Sequence, residues 1–202
     1  TEKTIQKTLD AIPRDVVDEI IVVDDGSKDN TAEIAKKNNV YLIQHIKNRG
    51  YGAAQKTGYK AALQNGADVV VMVHSDFQYD PMFVTPMAKE VALGKADVCF
   101  GSRMHNKGDA RKGGMPFWRY IANIALTYIE DIFFHLGLSE YHTGYRAYGR
   151  ILLTTVPFEY NSDNYVFDTE MFAEINLGNF KVVEIPIPTR YSDDSQSPNF
   201  YK

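Results

Sequence analysis

Apolar and polar positions along the first hundred residues predict strands that alternate with helices. Uninterrupted apolar runs at 20–23 and 69–73 are typical of strands buried on both faces. Between such runs, apolar residues recur at helical spacing. The predicted order is helix 1–12, strand 19–23, a helix from 32, strand 40–45, helix 53–64, strand 67–73, helix 81–93 and strand 96–101. Short connections between these elements predict an α/β fold with a mostly parallel central sheet flanked by helices.

The pattern changes after residue 103. Residues 104–115 are polar and glycine-rich, which predicts a loop or lid that carries Lys107, Arg111 and Lys112. The elements predicted beyond it are a long helix at 116–136, a turn at 141–144, a helix at 169–176 and a strand at 181–187. Polar residues of the long helix line one narrow stripe, and most of its remaining circumference is apolar. One face can pack on the domain, and the surplus predicts a membrane surface or a second subunit as partner.

Composition places few limits beyond a globular protein. The 202 residues match the size of one domain, and the net charge of −4 gives no case for nucleic acid. The single cysteine, Cys99, excludes a disulfide within the chain, which fits a reducing compartment. The sequence contains no signal peptide and no apolar run long enough to span a bilayer.

Acidic residues follow two of the predicted strands. Asp24 and Asp25 come directly after strand 19–23, and Asp76 follows strand 67–73 after His74 and Ser75. Open α/β folds bind their ligands at this carboxyl edge of the sheet. A plain turn is the simplest alternative. Paired acids also follow a strand in phosphoacceptor receiver domains, but those are shorter and lack the second acidic edge.

Several motifs then occur in a familiar order. Residues 23–27 (Val-Asp-Asp-Gly-Ser), with Asp29 and Thr31, resemble the signature of family 2 glycosyltransferases. Residues 48–54 (Asn-Arg-Gly-Tyr-Gly-Ala-Ala) resemble the next motif of that family, and His-Ser-Asp at 74–76 occupies the place of its metal-binding DxD. The segments 101–103, 143–146 and 168–170 follow in the expected order, so that the resemblance covers nearly the whole chain.

The resemblance implies a GT-A nucleotide-diphospho-sugar transferase fold in a single glycosyltransferase domain, 1–202. It also implies an inverting transfer from a UDP- or GDP-linked sugar. Its closest branch makes polyprenyl-phosphate and dolichyl-phosphate sugars, so a lipid phosphate at the cytoplasmic face of the membrane is the expected acceptor. The alternatives are transfer to a saccharide hydroxyl and, because His74 replaces an acid, a degenerate nucleotide-binding module. Members of the family begin with a strand that the given sequence does not contain. Membrane segments could follow Lys202.

The resemblance also assigns candidate residues for the donor. Asp24 and Asp25 would hold the nucleotide. Asp76 would be catalytic and would bind Mg²⁺ or Mn²⁺ with Gln78 as a second oxygen ligand. The other candidate substrate-binding residues on this side are Asn48, Gly50, Gly52 and Ser75. The two glycines are expected to allow close approach of the backbone to a ligand.

Cations for the phosphates and a base for the acceptor are also predicted. Arg103 closes strand 96–101 and is the preferred cation, with Arg119 and Arg146 as further phosphate-binding candidates. A hydroxyl acceptor would need a carboxylate base. Glu140 is the first candidate for that base. Asp168 and Glu170 are the other two.

Overall fold

The structure is a computed structural model that describes residues 2–106 and 108–188. Lys107, predicted in the basic loop, lies outside these residues. The helices are α1 Glu2–Ala11, α2 Thr31–Lys36, α3 Tyr51–Gln64, α4 Val84–Ala92, α5 Asp109–Lys112, α6 Phe117–Phe134, α7 Arg150–Thr155 and α8 Val166–Leu177. The strands are β1 Ile21–Asp24, β2 Tyr41–Gln44, β3 Val69–Met72, β4 Val98–Ser102, β5 Arg146–Gly149 and β6 Val182–Pro186. Single 3-10 turns lie at Pro81–Phe83 and Phe158–Tyr160.

The described strands form two sheets. β1 and β2 pair in parallel, and the second sheet has the order β3-β5-β4-β6. β4 and β6 are parallel, whereas β5 runs antiparallel to both of its neighbours. The α/β architecture with flanking helices is therefore confirmed. The sheet is mixed rather than parallel throughout its centre.

The central strand β5 is the main element that the sequence did not predict. Its four residues, Arg-Ala-Tyr-Gly, contain one small apolar side chain and no apolar run. Helix α7 follows it at once and was also not predicted. β5 forms because its neighbours cover it, and Ala147 and Tyr148 are fully buried between them. Tertiary packing therefore outweighs a weak local strand signal here.

Three apolar clusters hold the helices on the sheets. α1 and α2 pack on the two-stranded sheet through Ile5, Leu9 and Ala35. α4 covers one face of the second sheet, where Cys99 of β4 is buried as predicted. The largest cluster joins α3, α7 and α8 on the other face. Between these layers the carboxyl ends of β1, β3 and β4 open onto loops.

Helix α6 packs on the protein through its polar face, whereas a surface helix usually packs through its apolar face. The stripe of polar residues faces the protein, because Asn123 and Thr127 are its buried residues. Asn123 donates to the Glu140 carboxylate, and the Thr127 hydroxyl bonds to Asn123 at 3.3 Å. The apolar side of the helix points outward.

Candidate active site

The candidate site is a continuous set of contacts at one edge of the sheets. β3 ends at Met72 and β4 ends at Ser102. Antiparallel β5 begins at this same edge, because Arg146 pairs with both Met72 and Phe100. The turn before β5 is thereby brought beside the carboxyl ends of β3 and β4. Ligands of open α/β sheets bind outside these ends.

The segment after β3 presents the predicted metal ligand. Asp76 is half-buried, and its Oδ1 accepts a hydrogen bond from the backbone N–H of Gln78 at 3.0 Å. Between them, Phe77 has a φ of 58°, a left-handed conformation that costs a bulky residue roughly 1–3 kcal/mol. The Nζ of Lys7 in α1 lies 4.2 Å from the centroid of the Phe77 ring. Packing of the ring against α1 therefore helps to hold a strained turn that fixes Asp76 and Gln78.

His74 stands where the family pattern has an acid, and its ring points into the protein. Its Nε2 lies 3.3 Å from the Tyr51 hydroxyl, which donates to Asp168 Oδ2 at 3.1 Å. Because the hydroxyl proton is used on Asp168, His74 is the donor to Tyr51. A Cβ at Gly144 would lie 2.4 Å from the same Nε2, so the ring needs a glycine beside it. Burial lowers the pKa of His74, although Asp76 opposes the effect.

Arg103 and Glu140 form a buried ion pair. The Arg103 Nε donates to Glu140 Oε1 at 2.9 Å, its Nη2 donates to the same oxygen, and its backbone N donates to Oε2 at 2.9 Å. Asn123 Nδ2 adds a further hydrogen bond to Oε1 at 2.8 Å. Burial alone would raise the pKa of Glu140, but Arg103 and these hydrogen bonds hold it below its usual value. An ionised, fully coordinated carboxylate positions Arg103 and is poorly suited to the base role predicted for it.

Arg146 is also buried in an ion pair rather than exposed to a ligand. Its Nη1 lies 3.1 Å from Asp168 Oδ1, and its Nε donates to the Thr143 carbonyl oxygen at 3.0 Å. The guanidinium carbon lies 4.7 Å from the centroid of the Phe172 ring. Asp168 also accepts from Gln55 Nε2 at 3.1 Å. The structure therefore places both predicted residues in the framework behind the site.

Asp25 fixes the loop that was predicted to bind the nucleotide. Its oxygens accept from the backbone N–H groups of Arg49 at 2.9 Å and Gly50 at 2.8 Å. His45 Nδ1 lies 2.6 Å from Asp25 Oδ1, and its Nε2 lies 2.9 Å from the Thr57 hydroxyl. Burial would raise the pKa of Asp25, but the His45 contact and the two backbone donors lower it. Asp25 therefore holds the two loops together.

Asp24 is buried at the end of β1 and shapes the neighbouring turn. It accepts from the backbone N of Ser27 at 3.1 Å and from Gln44 Nε2 at 3.3 Å. Gly26 has a φ of 76°, and a Cβ there would lie 2.8 Å from the backbone N of Asn48. Asn48 itself is exposed at this contact. The turn after β1 and the loop after β2 thus form one surface.

The glycines of the second motif lie against another loop of the protein. A Cβ at Gly50 would lie 2.4 Å from the Asp163 carbonyl oxygen, and one at Gly52 would lie 2.2 Å from that of Ser162. These glycines allow the loop before α8 to dock on the start of α3. Lys56 secures the contact through an ion pair with Asp163 at 2.6 Å. The close approach at these two glycines is to another loop of the protein, and close approach to a ligand stays a prediction.

Three other predicted residues have contacts within the protein. Glu170 accepts from the backbone N of Ser162 at 2.7 Å and from its hydroxyl at 2.8 Å, which secures the same loop. Ser75 accepts a hydrogen bond from the Thr8 hydroxyl through its backbone oxygen at 3.3 Å. Arg119 lies on the first turn of α6, where its guanidinium carbon is 5.1 Å from the centroid of the Trp118 ring. These contacts are all within the protein, and the predicted ligand-binding roles of the three residues stay predictions.

The profile of Glycosyl transferase family 2 matches residues 1–155. The chain belongs to this family. It is 27% identical to the UDP-N-acetylglucosamine--dolichyl-phosphate N-acetylglucosaminyltransferase of Methanococcus voltae, over 97% of the chain and 84% of that protein. It is 30% identical to the polyprenol monophosphomannose synthase of Mycolicibacterium smegmatis, over 83% of the chain and 65% of that protein.

A solved structure shares the fold of this family 2 chain. Glucosyl-3-phosphoglycerate synthase from Mycobacterium tuberculosis, in complex with Mn²⁺, UDP and phosphoglyceric acid, superposes with a TM-score of 0.71 at 22% identity. The superposition covers 95% of this chain and 67% of that one. The predicted GT-A-type fold is thereby confirmed, and the family match confirms the predicted glycosyltransferase class.

The donor set at the edge of this family 2 fold fits a divalent cation that takes most of its ligands from a substrate. No three His, Cys, Asp or Glu side chains come together as a metal cluster within residues 2–106 and 108–188. Asp76 offers one carboxylate beside Gln78, and both residues are half-buried. Mg²⁺ commonly binds through one or two carboxylates together with phosphate oxygens and water. His74 is turned toward Tyr51, away from the ligand role of the acid it replaces.

Several residues that organise this family 2 site were not predicted from the sequence. Tyr51 joins His74 to Asp168, Gln55 donates to Asp168 from the same helix, and His45 joins Asp25 to α3. Tyr51 lies inside the 48–54 motif, between its two glycines. A large side chain at that position could have indicated a specific contact. Asn123 belongs to the polar stripe of the long helix, whose inward direction could have been inferred from its apolar remainder.

Proposed function

We propose that the protein transfers a sugar from a UDP- or GDP-linked donor to a polyprenyl phosphate. The observation that supports this acceptor is that all three predicted bases are already hydrogen-bonded to protein groups. Glu140, Asp168 and Glu170 each accept two or more hydrogen bonds from their neighbours. A hydroxyl acceptor needs a carboxylate to take its proton, whereas a phosphate is already ionised near neutral pH and needs no base.

The roles of the residues follow from their positions. Asp76 and Gln78 would hold Mg²⁺ or Mn²⁺, which stabilises the negative charge of the departing diphosphate. The joined surface of the first two motifs, with Asp24, Asp25 and Asn48, would seat the nucleoside. Arg103, oriented by Glu140, would attract the acceptor phosphate.

The expected reaction is a single displacement. An oxygen of the acceptor phosphate attacks the anomeric carbon as the bond from that carbon to the diphosphate oxygen breaks. The configuration at that carbon inverts, and the nucleoside diphosphate leaves with the bonding electrons. The names of two relatives, which refer to dolichyl phosphate and to polyprenol monophosphomannose, support a lipid phosphate. Since such lipids reside in membranes, we propose that the reaction takes place at a membrane surface, on the cytoplasmic face that the family resemblance implies.

A second candidate function is supported by one further acid. Glu130 of α6 has an Oε2 without a hydrogen-bond partner, which lies 3.2 Å from His142 Nε2. Burial raises the pKa of Glu130 to about 7, although Arg146 opposes the effect. A carboxylate with such a pKa suits a general base. Transfer to a saccharide hydroxyl with Glu130 as base is therefore the alternative.

A transfer assay separates the two candidates. Purified protein with Mn²⁺ would be offered UDP- and GDP-sugars together with a short polyprenyl phosphate, a saccharide or 3-phosphoglycerate. We expect release of one nucleoside diphosphate only with the polyprenyl phosphate, and an inverted anomeric centre in the product by NMR. Transfer to the saccharide alone, with activity that rises through about pH 7 and disappears in Glu130→Gln, would replace the proposal with the alternative. Binding of no donor would overturn both.

A further inference from the structure

The outer face of α6 is a broad apolar surface. Its exposed large apolar side chains run from 46% exposed at Ile124 to 71% at Tyr128. The full set is Phe117, Trp118, Ile121, Ile124, Leu126, Tyr128, Ile129, Ile132 and Phe133. At 100° per residue these positions cover more than half of the circumference, and no charged residue lies among them. A helix of 18 residues extends this surface over about 27 Å.

Such a surface is far larger than scattered exposed apolar residues would explain. Contiguous apolar patches on soluble proteins usually mark contacts with a protein or a membrane. The rest of the protein does not cover this face, because α6 packs on it through the opposite, polar stripe with Asn123 and Thr127. Some external partner must therefore cover it.

The surroundings of the surface indicate which partner. Helix α5 precedes α6 and carries Arg111 and Lys112, both exposed. The Arg111 guanidinium carbon lies 5.6 Å from the centroid of the Phe117 ring, and that of Arg119 lies 5.1 Å from the Trp118 ring. The helix thus has cations beside aromatic rings at its first turn, and an apolar face beyond that includes Tyr128 and Phe133. This arrangement matches a lipid interface, where aromatic rings sit at headgroup depth and cations meet anionic headgroups.

We propose that the outer face of α6, with the basic residues of α5, is the surface by which the protein lies on an anionic lipid bilayer. The helix axis is parallel to the membrane plane, as in interfacial amphipathic helices. Within residues 2–106 and 108–188 the structure has no helix with the length and hydropathy needed to cross a bilayer.

This orientation deepens the proposed function, and it rests on that function for the need to reach a lipid. The inner face of α6 carries Asn123, which holds the Glu140 carboxylate that orients Arg103. A helix is about 10 Å across with its side chains. The Arg103 guanidinium therefore lies about one helix diameter from the proposed membrane surface. A phosphate at the end of a membrane-embedded chain would have only that distance to cover.

The single tryptophan of the chain provides a direct reporter. Trp118 is the only tryptophan among the 202 residues, and it is 65% exposed. With vesicles of equimolar phosphatidylcholine and phosphatidylglycerol, we expect its emission to shift to the blue and to be quenched by brominated acyl chains. With phosphatidylcholine alone, both effects should be much weaker because the electrostatic attraction is missing.

Matched variants separate this surface from general stickiness. Ile121→Ser with Ile132→Ser should lower vesicle partitioning roughly tenfold or more, since two apolar side chains no longer leave water. Ile151→Ser with Tyr160→Ser removes residues that are 72% and 90% exposed on other elements, and should leave partitioning unchanged. Arg111→Gln with Lys112→Gln should weaken binding only to the anionic vesicles.

Two outcomes would overturn the inference. One is a Trp118 emission that no vesicle changes. The other is an emission that shifts with protein concentration alone, together with a dimer in light scattering that Ile121→Ser with Ile132→Ser dissociates; a second copy would then cover α6. Thermal stabilisation by UDP or GDP with Mn²⁺, measured on the same variants, shows independently whether donor binding is intact. Failure of membrane docking is thereby distinguished from failure of the proposed transfer.

Discussion

Two carboxylates of the site are held in opposite ways. Asp76 is half-buried, and it sits on a strained turn where one oxygen accepts a backbone N–H. Glu140 is fully buried, and an arginine side chain, an arginine backbone N–H and an asparagine coordinate it. The first carboxylate retains capacity to bind a cation, whereas the second is already saturated. Chemical type alone therefore does not identify a functional acid; its partners do.

The comparison predicts that the two acids fail differently when they are changed. Loss of Glu140 should appear first as loss of stability, because a buried arginine loses its counter-charge. Loss of Asp76 should appear as loss of turnover in a protein that still folds. The largest effect is expected for the buried pair.

Replacement of Glu140 by glutamine should lower the free energy of unfolding by about 3–5 kcal/mol, the usual result of leaving one member of a buried ion pair unpaired. Urea denaturation measures it. Adding Arg103→Met to the variant should recover part of the loss, since the unpaired charge is gone. Complete loss of turnover at unchanged stability would instead restore Glu140 as a catalytic base.

The same pair predicts a pH dependence. The pKa of Glu140 is lowered in the folded state from its usual value of 4.5. Its contribution to stability is therefore complete above about pH 4.5 and is lost as the pH falls through the folded-state pKa. Denaturation of the wild type and of Glu140→Gln should converge at the acid end of this range. A stability difference that stays constant into strong acid would contradict the assignment.

Asp76→Asn should reduce transfer about 100- to 1,000-fold, because a metal that neutralises the leaving diphosphate contributes several kcal/mol to the transition state. The melting temperature without ligand should change little, since the side chain is half-buried. Stabilisation by a nucleoside diphosphate should lose its dependence on Mn²⁺. A metal-dependent shift that survives the substitution would assign the cation to other residues.

Two glycines of α3 test whether the second motif serves the fold or the ligand. A Cβ at Gly52 would lie 2.2 Å from a backbone carbonyl oxygen, so Gly52→Ala should cost roughly 1–3 kcal/mol through overpacking. A Cβ at Gly58, in the same helix, would meet only Val23 Cγ2 at 3.4 Å. Gly58→Ala should therefore be neutral, or stabilising by about 0.5–1 kcal/mol. Equal effects of the two changes on stability would refute the docking role.

The sequence was sufficient for elements with long or regular patterns. Helix α6 was predicted at 116–136 and is found at Phe117–Phe134, and the apolar runs that precede Asp24 and Asp76 are strands. Strand β5 was missed because four residues with a leading arginine carry no strand pattern until neighbours bury them. An antiparallel strand at the centre also explains why a turn near residue 144 reaches the site.

The sequence predicted which residues lie at the edge of the sheets, but it did not predict which groups they contact there. Asp24, Asp76 and Arg103 lie at the carboxyl edge because they end or follow apolar strands, which local pattern can detect. The partners of Asp25, Gly52 and Glu140 come from segments between 17 and 110 residues away along the chain. Contacts between segments so far apart cannot be detected from the spacing of residues along the sequence. A nucleotide-binding turn and a loop-docking turn therefore look alike until the fold is known.

The smallest expected effect concerns the contact that links the two sides of the site. Tyr51→Phe removes the hydroxyl between His74 and Asp168 and should cost about 0.5–1.5 kcal/mol of stability. Because the His74 ring adjoins the Asp76 turn, we expect a fall in kcat of less than tenfold and little change in KM for the donor. Tyr165→Phe keeps the ring stacked 4.7 Å from Tyr51 and is the control. If both variants lowered kcat equally, ring stacking rather than the hydrogen-bonded chain would carry the coupling.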